Sequence, residues 1–228
     1  MAAPPQTVAD QTLDRSAMEA LARARTPVIL TGVDLEEADL SDLDLTGWTF
    51  ERCALRGTVF KGARLEASRW SGCRGAFADF TAADLTDAVF RGGDFNNTVM
   101  RRAILSSAAF SACKLTGADL TEARTLDATF EETLLIAAKL QGFSFRKRRL
   151  ARLDFGQADL KKVDFRDAVF EDCSLRGANL ADARFEGADL RGADLGGLRL
   201  SDARLFKGAT ISRQQAGDLL SELGLNVG

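Results

Sequence analysis

The 228-residue chain contains no histidine and no tyrosine. Histidine is the commonest general base near neutral pH and the commonest metal ligand. Its absence removes Ser–His and Cys–His nucleophilic catalysis and most zinc sites. Long apolar runs are missing too: no stretch of 18 uninterrupted apolar residues occurs, so no membrane span is expected. The opening segment MAAPPQTVADQTLDRSAMEAL carries acidic residues and no apolar run, unlike a secretory signal. A cytoplasmic protein is therefore expected, with a signal-independent export route as the alternative. Charge of one sign is scarce in net terms: 30 basic against 33 acidic residues leave −3, too little for a strong uniform field. With 46% hydrophobic and 28% charged residues and a mean hydropathy of −0.09, the balance is that of an ordinary soluble domain.

What the chain does have is a period of five. Every fifth residue from Leu30 to Leu205 is large and apolar except Gly75 and Thr125. Two residues before each of these centre positions stands a mostly small residue, such as Ala38, Cys53, Ala63, Ala78 or Ala83. Asp is frequent just before the centre, as at Asp34, Asp44, Asp84 and Asp189. Five fits neither a helix at 3.6 nor a strand at 2. It fits a four-sided coil with one five-residue segment per side, the centre and small residues pointing inward and the other three facing water. Stacking at the sheet spacing of about 4.8 Å, nine such coils give a rod of roughly 43 Å.

The segments ADLTD, ADLTE, ANLAD, ADLRG and ADLGG resemble the A(D/N)Lxx motif of the pentapeptide-repeat family, over residues 28–205. The resemblance implies an all-β solenoid: a right-handed quadrilateral β-helix of about nine coils. Three segments follow: 1–27 as N-terminal tail and helical cap, 28–205 as β-helix, and 206–228 as C-terminal helix and tail. Twenty residues per coil puts Phe50, Trp70, Phe90, Phe110, Phe130, Leu150, Phe170 and Leu190 on one face, an inner ladder expected to stack.

Open coil ends need caps. Asp14–Arg25 has helical propensity and an apolar stripe of Met18, Leu21 and Ala22, stopped by Pro27. At the far end Ser212 and Gln215 read as a capping box. Ile211, Ala216, Leu219, Leu220 and Leu223 supply apolar side chains, Gly224 a stop, and Leu225 a further apolar residue. This surplus resembles the C-terminal helix and tail through which quinolone-resistance pentapeptide proteins dimerise, which implies a homodimer.

Candidate sites lie elsewhere. Cys53, Cys73, Cys113 and Cys173 all occupy the small inward position on one face. They would point in parallel from different coils, whereas metal ligands converge, so they read as core. No metal and no cofactor is expected. Asp39, Asp79, Asp119 and Asp159 recur on every second coil of one face, which they share with Lys139 and Arg199. One reading is mimicry of DNA phosphates, implied by the acidic faces of the quinolone-resistance relatives. The other is that each Asp bonds its own turn. The cluster Arg146, Lys147, Arg148 and Arg149, with Arg152 beyond it, is either a partner patch or a solvated edge. Arg148 occupies a small position, so either the coil bulges there or the side chain turns outward.

No nucleophile–base pair, phosphate loop or metal cluster can be assembled, so an enzyme is not expected, nor a small-molecule substrate, a membrane partner or direct nucleic-acid binding. The resemblance implies an interaction protein, a DNA-mimicking binder of DNA gyrase that protects it from poisons. The alternative is a general scaffold, adaptor or secreted effector module with an unrelated protein target. The unbroken register leaves no room for projecting loops.

Overall fold

A computed structural model describes residues 5–196, 200–222 and 224–226. Two compact units divide the chain, Met1–Thr129 and Phe130–Gly228, and each is a β-solenoid.

In the first unit the coils come from one local rule. The residue two after each centre takes a left-handed backbone, with φ of +63° at Gly32, +56° at Glu37, +60° at Asp42 and +72° at Gly47, and so on around each coil. The small residue then donates its N–H back to the centre carbonyl, as Ala38 does to Leu35 (3.0 Å) and Thr58 to Leu55 (3.1 Å). Each left-handed residue thus makes one corner. Glycine takes this conformation freely, whereas other residues are strained by roughly 1–2 kcal/mol, with Asp and Asn the most tolerant. Glycine, Asp and Asn duly recur at the corners, as at Gly57, Gly62, Gly72, Asp87 and Asn97.

One side of each coil is a true strand: β2 (Val28–Thr31), β3 (Thr49–Glu51), β4 (Arg69–Ser71), β5 (Val89–Arg91) and β6 (Ala109–Ser111). They pair in parallel at a constant offset of one coil, Phe50 against Trp70 and Trp70 against Phe90. Inside, centre and small side chains are buried from Val28 to Leu120 except Ala38 and Leu43, which are half-buried. The rings of Phe50, Trp70, Phe90 and Phe110 form the expected ladder, with centroids 3.9, 5.3 and 4.7 Å apart and planes within 10° of parallel. A second column, Phe60 on Phe80 at 4.9 Å, meets it edge to face. Gly75, the vacant centre, is explained by the coil after it. A Cβ there would stand 2.6 Å from the ring of Phe95, which fills the gap.

The N-terminal segment differs from expectation. It is not only tail and helix: strand β1 (Gln6–Ala9) pairs in parallel with β2, Gln6 against Val28 and Ala9 against Thr31, and Thr12 bridges Asp34. Residues 6–13 thus form half a coil of their own. Helix α1 runs over Arg15–Ala22, shorter than the expected Asp14–Arg25, because Asp14 is its N-cap and accepts from Ala17 N–H at 2.9 Å. Met18 is fully buried beneath it.

The second unit repeats the pattern within itself: β7 (Thr129–Glu131), β8 (Arg149–Ala151) and β9 (Val169–Glu171) are short strands one coil apart in sequence, β8 pairs with β9 in parallel, and β10 (Cys173–Ser174) pairs with β11 (Ala193–Asp194). Here the expected ladder residues Phe130, Leu150, Phe170 and Leu190 are all buried. Leu150 stands between Phe130 and Phe170 in the register. The stacked column is Phe145, Phe165 and Phe185, at 5.3 and 5.0 Å, on a neighbouring side of the coil. Phe206 closes it, 4.7 Å from Phe185.

Phe206 marks a second correction. The five-residue register continues in sequence to Leu205, but Leu200–Phe206 is a 3-10 helix rather than another corner and side. The pairing offset slips by one residue, Asp189 bridging Thr210 instead of the residue before it. The slip lets Phe206, larger than Leu205, pack against Phe185 with its ring tilted by 31°. Helix α2 (Arg213–Glu222) then follows. Among the described residues no helix is long and apolar enough to cross a membrane.

Candidate interaction surfaces

The solenoid leaves three water-facing residues per side, and the candidate functional residues lie there. The Asp row is set by the ladder: Asp39, Val59, Asp79, Val99 and Asp119 bridge in succession in the first unit, and Lys139, Asp159 and Asn179 in the second. Each Asp braces its own turn. Asp39 Oδ1 accepts from the N–H and hydroxyl of Ser41, Asp79 from Thr81 N–H (2.8 Å), Asp119 from Thr121 N–H (3.0 Å) and Asp159 from Lys161 N–H (3.2 Å). At the first of them the Ser41 hydroxyl holds the Asp39 carboxyl below the usual range. The turn-bracing reading is thus directly visible. In the first unit successive acids of the row stand two coils, about 10 Å, apart. Phosphates follow one another every 3.4 Å or so along one DNA strand, so this row alone is some threefold too sparse to copy one. Lys61, Arg101 and Arg102 are exposed on the same side.

Sequence reasoning missed the role of Arg15. Its guanidinium donates to the carbonyls of Asp39 (3.0 Å) and Ser41 (3.2 Å) and lies 3.3 Å from the Asp39 carboxylate. It docks α1 onto the first turn of the row and neutralises the acid there.

The basic coil keeps its register. Arg148 N–H closes the usual turn onto Phe145 O at 3.1 Å, and Arg149 pairs with Val169, so there is no bulge. Arg148 is half-buried and Phe143, in a small position, is buried. Acids on adjoining coils answer most of the cations. Arg149 meets Glu171 at 2.6 Å, Arg152 meets Glu131 (3.2 Å) and Glu132 (2.5 Å), and Arg146 lies 3.8 Å from Asp167. Arg149 in turn holds the Glu171 carboxyl below its usual range. Lys147 is exposed at a left-handed corner, φ +59°. The cluster is therefore a charge lattice of both signs rather than a bare positive patch.

The four cysteines are free and buried. Cys73 donates to Phe50 O (3.2 Å) and Cys173 to Leu150 O (3.3 Å). The hydrogen bond with Cys53 and burial push the Cys73 thiol up, and burial does the same at Cys113 and Cys173.

At the C-terminal end the capping box is reciprocal: Ser212 Oγ accepts from Gln215 N–H (3.1 Å) and Gln215 Oε1 from Ser212 N–H (2.7 Å). Gln215 also clamps the helix to the last coil, its Nε2 donating to Leu190 O (2.7 Å) and Ala193 O (2.6 Å). Among the expected dimerisation residues, Ala216 and Leu219 are half-buried, whereas Ile211, Leu220 and Leu225 are 36%, 39% and 53% exposed. Leu223 lies outside the described residues. Gly224, at φ +78°, ends the helix, and Leu225 N–H returns to Leu220 O (3.2 Å), setting these two residues together.

The family model for pentapeptide repeats matches in overlapping copies that together span residues 59–205. Comparison with curated protein sequences gave no match. Among solved structures, similarity is found to HetL, a pentapeptide repeat protein involved in heterocyst differentiation regulation from the cyanobacterium Nostoc sp. strain PCC 7120. The TM-score is 0.67 at 22% identity, covering 85% of this chain and 89% of HetL. QnrB1, a plasmid-mediated fluoroquinolone resistance protein, is similar in its trypsin-treated form (TM-score 0.65, 22% identity, 89% of this chain and 98% of that one). Its full-length form gives a TM-score of 0.61 at 20% identity, over 97% of this chain and 98% of that one. At such identities the likeness is one of fold.

Proposed function

Since this chain belongs to the pentapeptide-repeat family, we propose that it is a non-enzymatic interaction protein of the cytoplasm, a homodimer whose solenoid surface binds DNA gyrase and shields it from poisons. The observation that carries the reading is the conjunction of the Qnr-like fold along nearly the whole chain with a C-terminal helix that leaves Leu220 and Leu225 together and exposed. Exposed apolar pairs on a clamped helix suit a twofold contact, in which the same residues meet their copies. Mimicry of DNA then draws on acids from two sides of the coil, Asp42, Asp84 and Asp87 beside Asp79 and Asp119, since one column is too sparse. A salt titration of the complex with immobilised gyrase tests it. Binding that weakens steeply with salt, and again when Asp79 and Asp119 become Asn, supports the reading; binding indifferent to both removes mimicry.

A second reading has its own support. The Asp row spends its carboxylates on its own turns, Val59 and Val99 interrupt it, and Lys61, Arg101 and Arg102 flank it. That pattern favours a scaffold for a different protein target. Failure of any gyrase complex to form decides for it.

A further inference from the structure

The two ends of this fold are finished differently. At the C-terminal end the chain covers its last coil itself: Leu190 N–H donates to Thr210 O (2.8 Å), and Gln215 takes up the carbonyls of Leu190 and Ala193. At the N-terminal end β1 is the outermost strand, and among the described residues no strand lies on its far side.

The register says which groups this leaves open. Thr7 stands opposite Ile29 and therefore in the column of Thr49, Arg69, Val89 and Ala109. Residues of that column donate their N–H to the preceding coil: Arg69 to Trp48 O, Val89 to Ser68 O and Ala109 to Ala88 O, each at 2.9 Å. Thr12 likewise stands in the column of Asp34 and Ala54, which donate backward to Gln11 O and Val33 O. Among the described residues no coil precedes Thr7 and Thr12, and by the pattern of their columns their N–H groups face the open edge of the sheet. An open parallel edge is a template for another extended chain.

A groove is built along that edge. It has a volume of about 630 Å³, with β1 on one side and Ala17, Ala20, Leu21 and Ala24 of the α1 segment on the other. The small side chains keep it wide. No lining residue carries a charge, in a chain where 28% of residues do. An acidic or basic segment would lose its hydration there without a counter-charge, whereas an uncharged one would not.

We propose that this end of the solenoid is a second docking site, which takes an uncharged extended peptide from a partner protein as an added strand on β1, held between the strand and α1. The site is independent of the gyrase reading, and either can fail alone. The segment supplies a carbonyl to Thr7 on β1, and its apolar side chains lie on the Ala and Leu wall.

The test uses the full-length protein and a fluorescein-labelled, C-amidated peptide of sequence TPVILTG, which copies residues 26–32, the strand β1 already pairs with. Fluorescence anisotropy should show saturable binding. Thr7→Pro removes an edge N–H that serves no internal ladder, so the fold tolerates it. It should weaken binding by about tenfold, as loss of one main-chain bond worth roughly 1.4 kcal/mol implies. Ala20→Glu places a charge in the groove away from the strand and should abolish binding with an unchanged circular-dichroism spectrum. Absence of saturable binding to the wild-type protein, or equal affinity for wild type and both variants, overturns the proposal.

Discussion

Trp70 donates its indole N–H to the hydroxyl of Ser68 at 2.9 Å, with both side chains inside the core. The small position two before the centre is most often Ala, and at Ser68 its hydroxyl stands within reach of the one tryptophan of the stacked ladder. An indole N–H can only donate. Removing its acceptor leaves a buried donor unpaired, a cost of about 1–3 kcal/mol. Ser68→Ala should lower the denaturation midpoint by that amount. Adding Trp70→Phe should recover most of the loss, since phenylalanine has nothing to satisfy. A double-mutant cycle in urea reads the coupling directly.

Gly75 and Phe95 form a second interlocked pair, one coil apart. The Cβ of Gly75→Ala would stand 2.6 Å from two carbons of the Phe95 ring. Overpacking of this kind costs about 1–3 kcal/mol. The variant should be destabilised accordingly, and Phe95→Leu in the same chain should relieve part of it. Equal destabilisation with and without Phe95→Leu would show that the ring is not what fills the vacant centre.

These two pairs show how much could be read from the sequence. The centre and small columns, the four-sided coil and the first-unit ladder follow from a five-residue period that any large apolar residue registers, and the two helices from apolar stripes and capping residues in the segments that break it. Gly75 looked like a defect because its compensation lies twenty residues away in Phe95, a relation only stacking reveals. The half-coil at residues 6–13 was invisible for a similar reason. Val8 and Leu13 are five apart, but two repeats cannot be told from chance, and α1 puts them out of phase with Leu30. The one-residue slip that exchanges Leu205 for Phe206 hides in a sequence whose register runs on. Surface roles were least legible, because whether Arg149 is a free cation depends on Glu171 in the next coil.

Stability should depend on pH in one direction only. Asp164 is held below the usual carboxylate range first by its bonds to Arg166, Asp189 by those to Arg191, and Asp44 by the Thr46 hydroxyl. A carboxyl with a depressed folded value contributes stability that is present above its unfolded value, near 4, and lost as pH falls through the folded value. With no histidine in the chain and Cys73, Cys113 and Cys173 pushed up, the one thiol moved toward the interval between about pH 5.5 and 8 is Cys53, which its hydrogen bond with Cys73 pulls down, so the usual histidine titration is missing there. The melting temperature should be flat across that interval and fall below about pH 4. A midpoint transition near pH 6.5 would contradict the assignment.

The cysteines should be silent in the folded protein. All four are buried and most have raised thiol values, which suppresses the reactive thiolate. Ellman's reagent should titrate none in buffer and four in denaturant. Prompt labelling of any thiol in buffer would mean that a coil opens locally.

Gln215 holds the C-terminal helix by two bonds to carbonyls of the last coil. Gln215→Ala should cost about 1–3 kcal/mol, by leaving those carbonyls without their donor. Hydrogen exchange should quicken over α2 and the last coil, with the first unit unchanged. If the helix carries the twofold contact, the same variant should weaken the dimer seen by sedimentation, as should Leu220→Asp.

A supercoiling assay with purified DNA gyrase tests the proposed engagement of a type II topoisomerase. The wild-type protein should restore supercoiling in the presence of a fluoroquinolone, or inhibit it without one, and Asp79→Asn with Asp119→Asn should weaken the effect. Supercoiling unchanged by the protein at any concentration, with and without the drug, would contradict it.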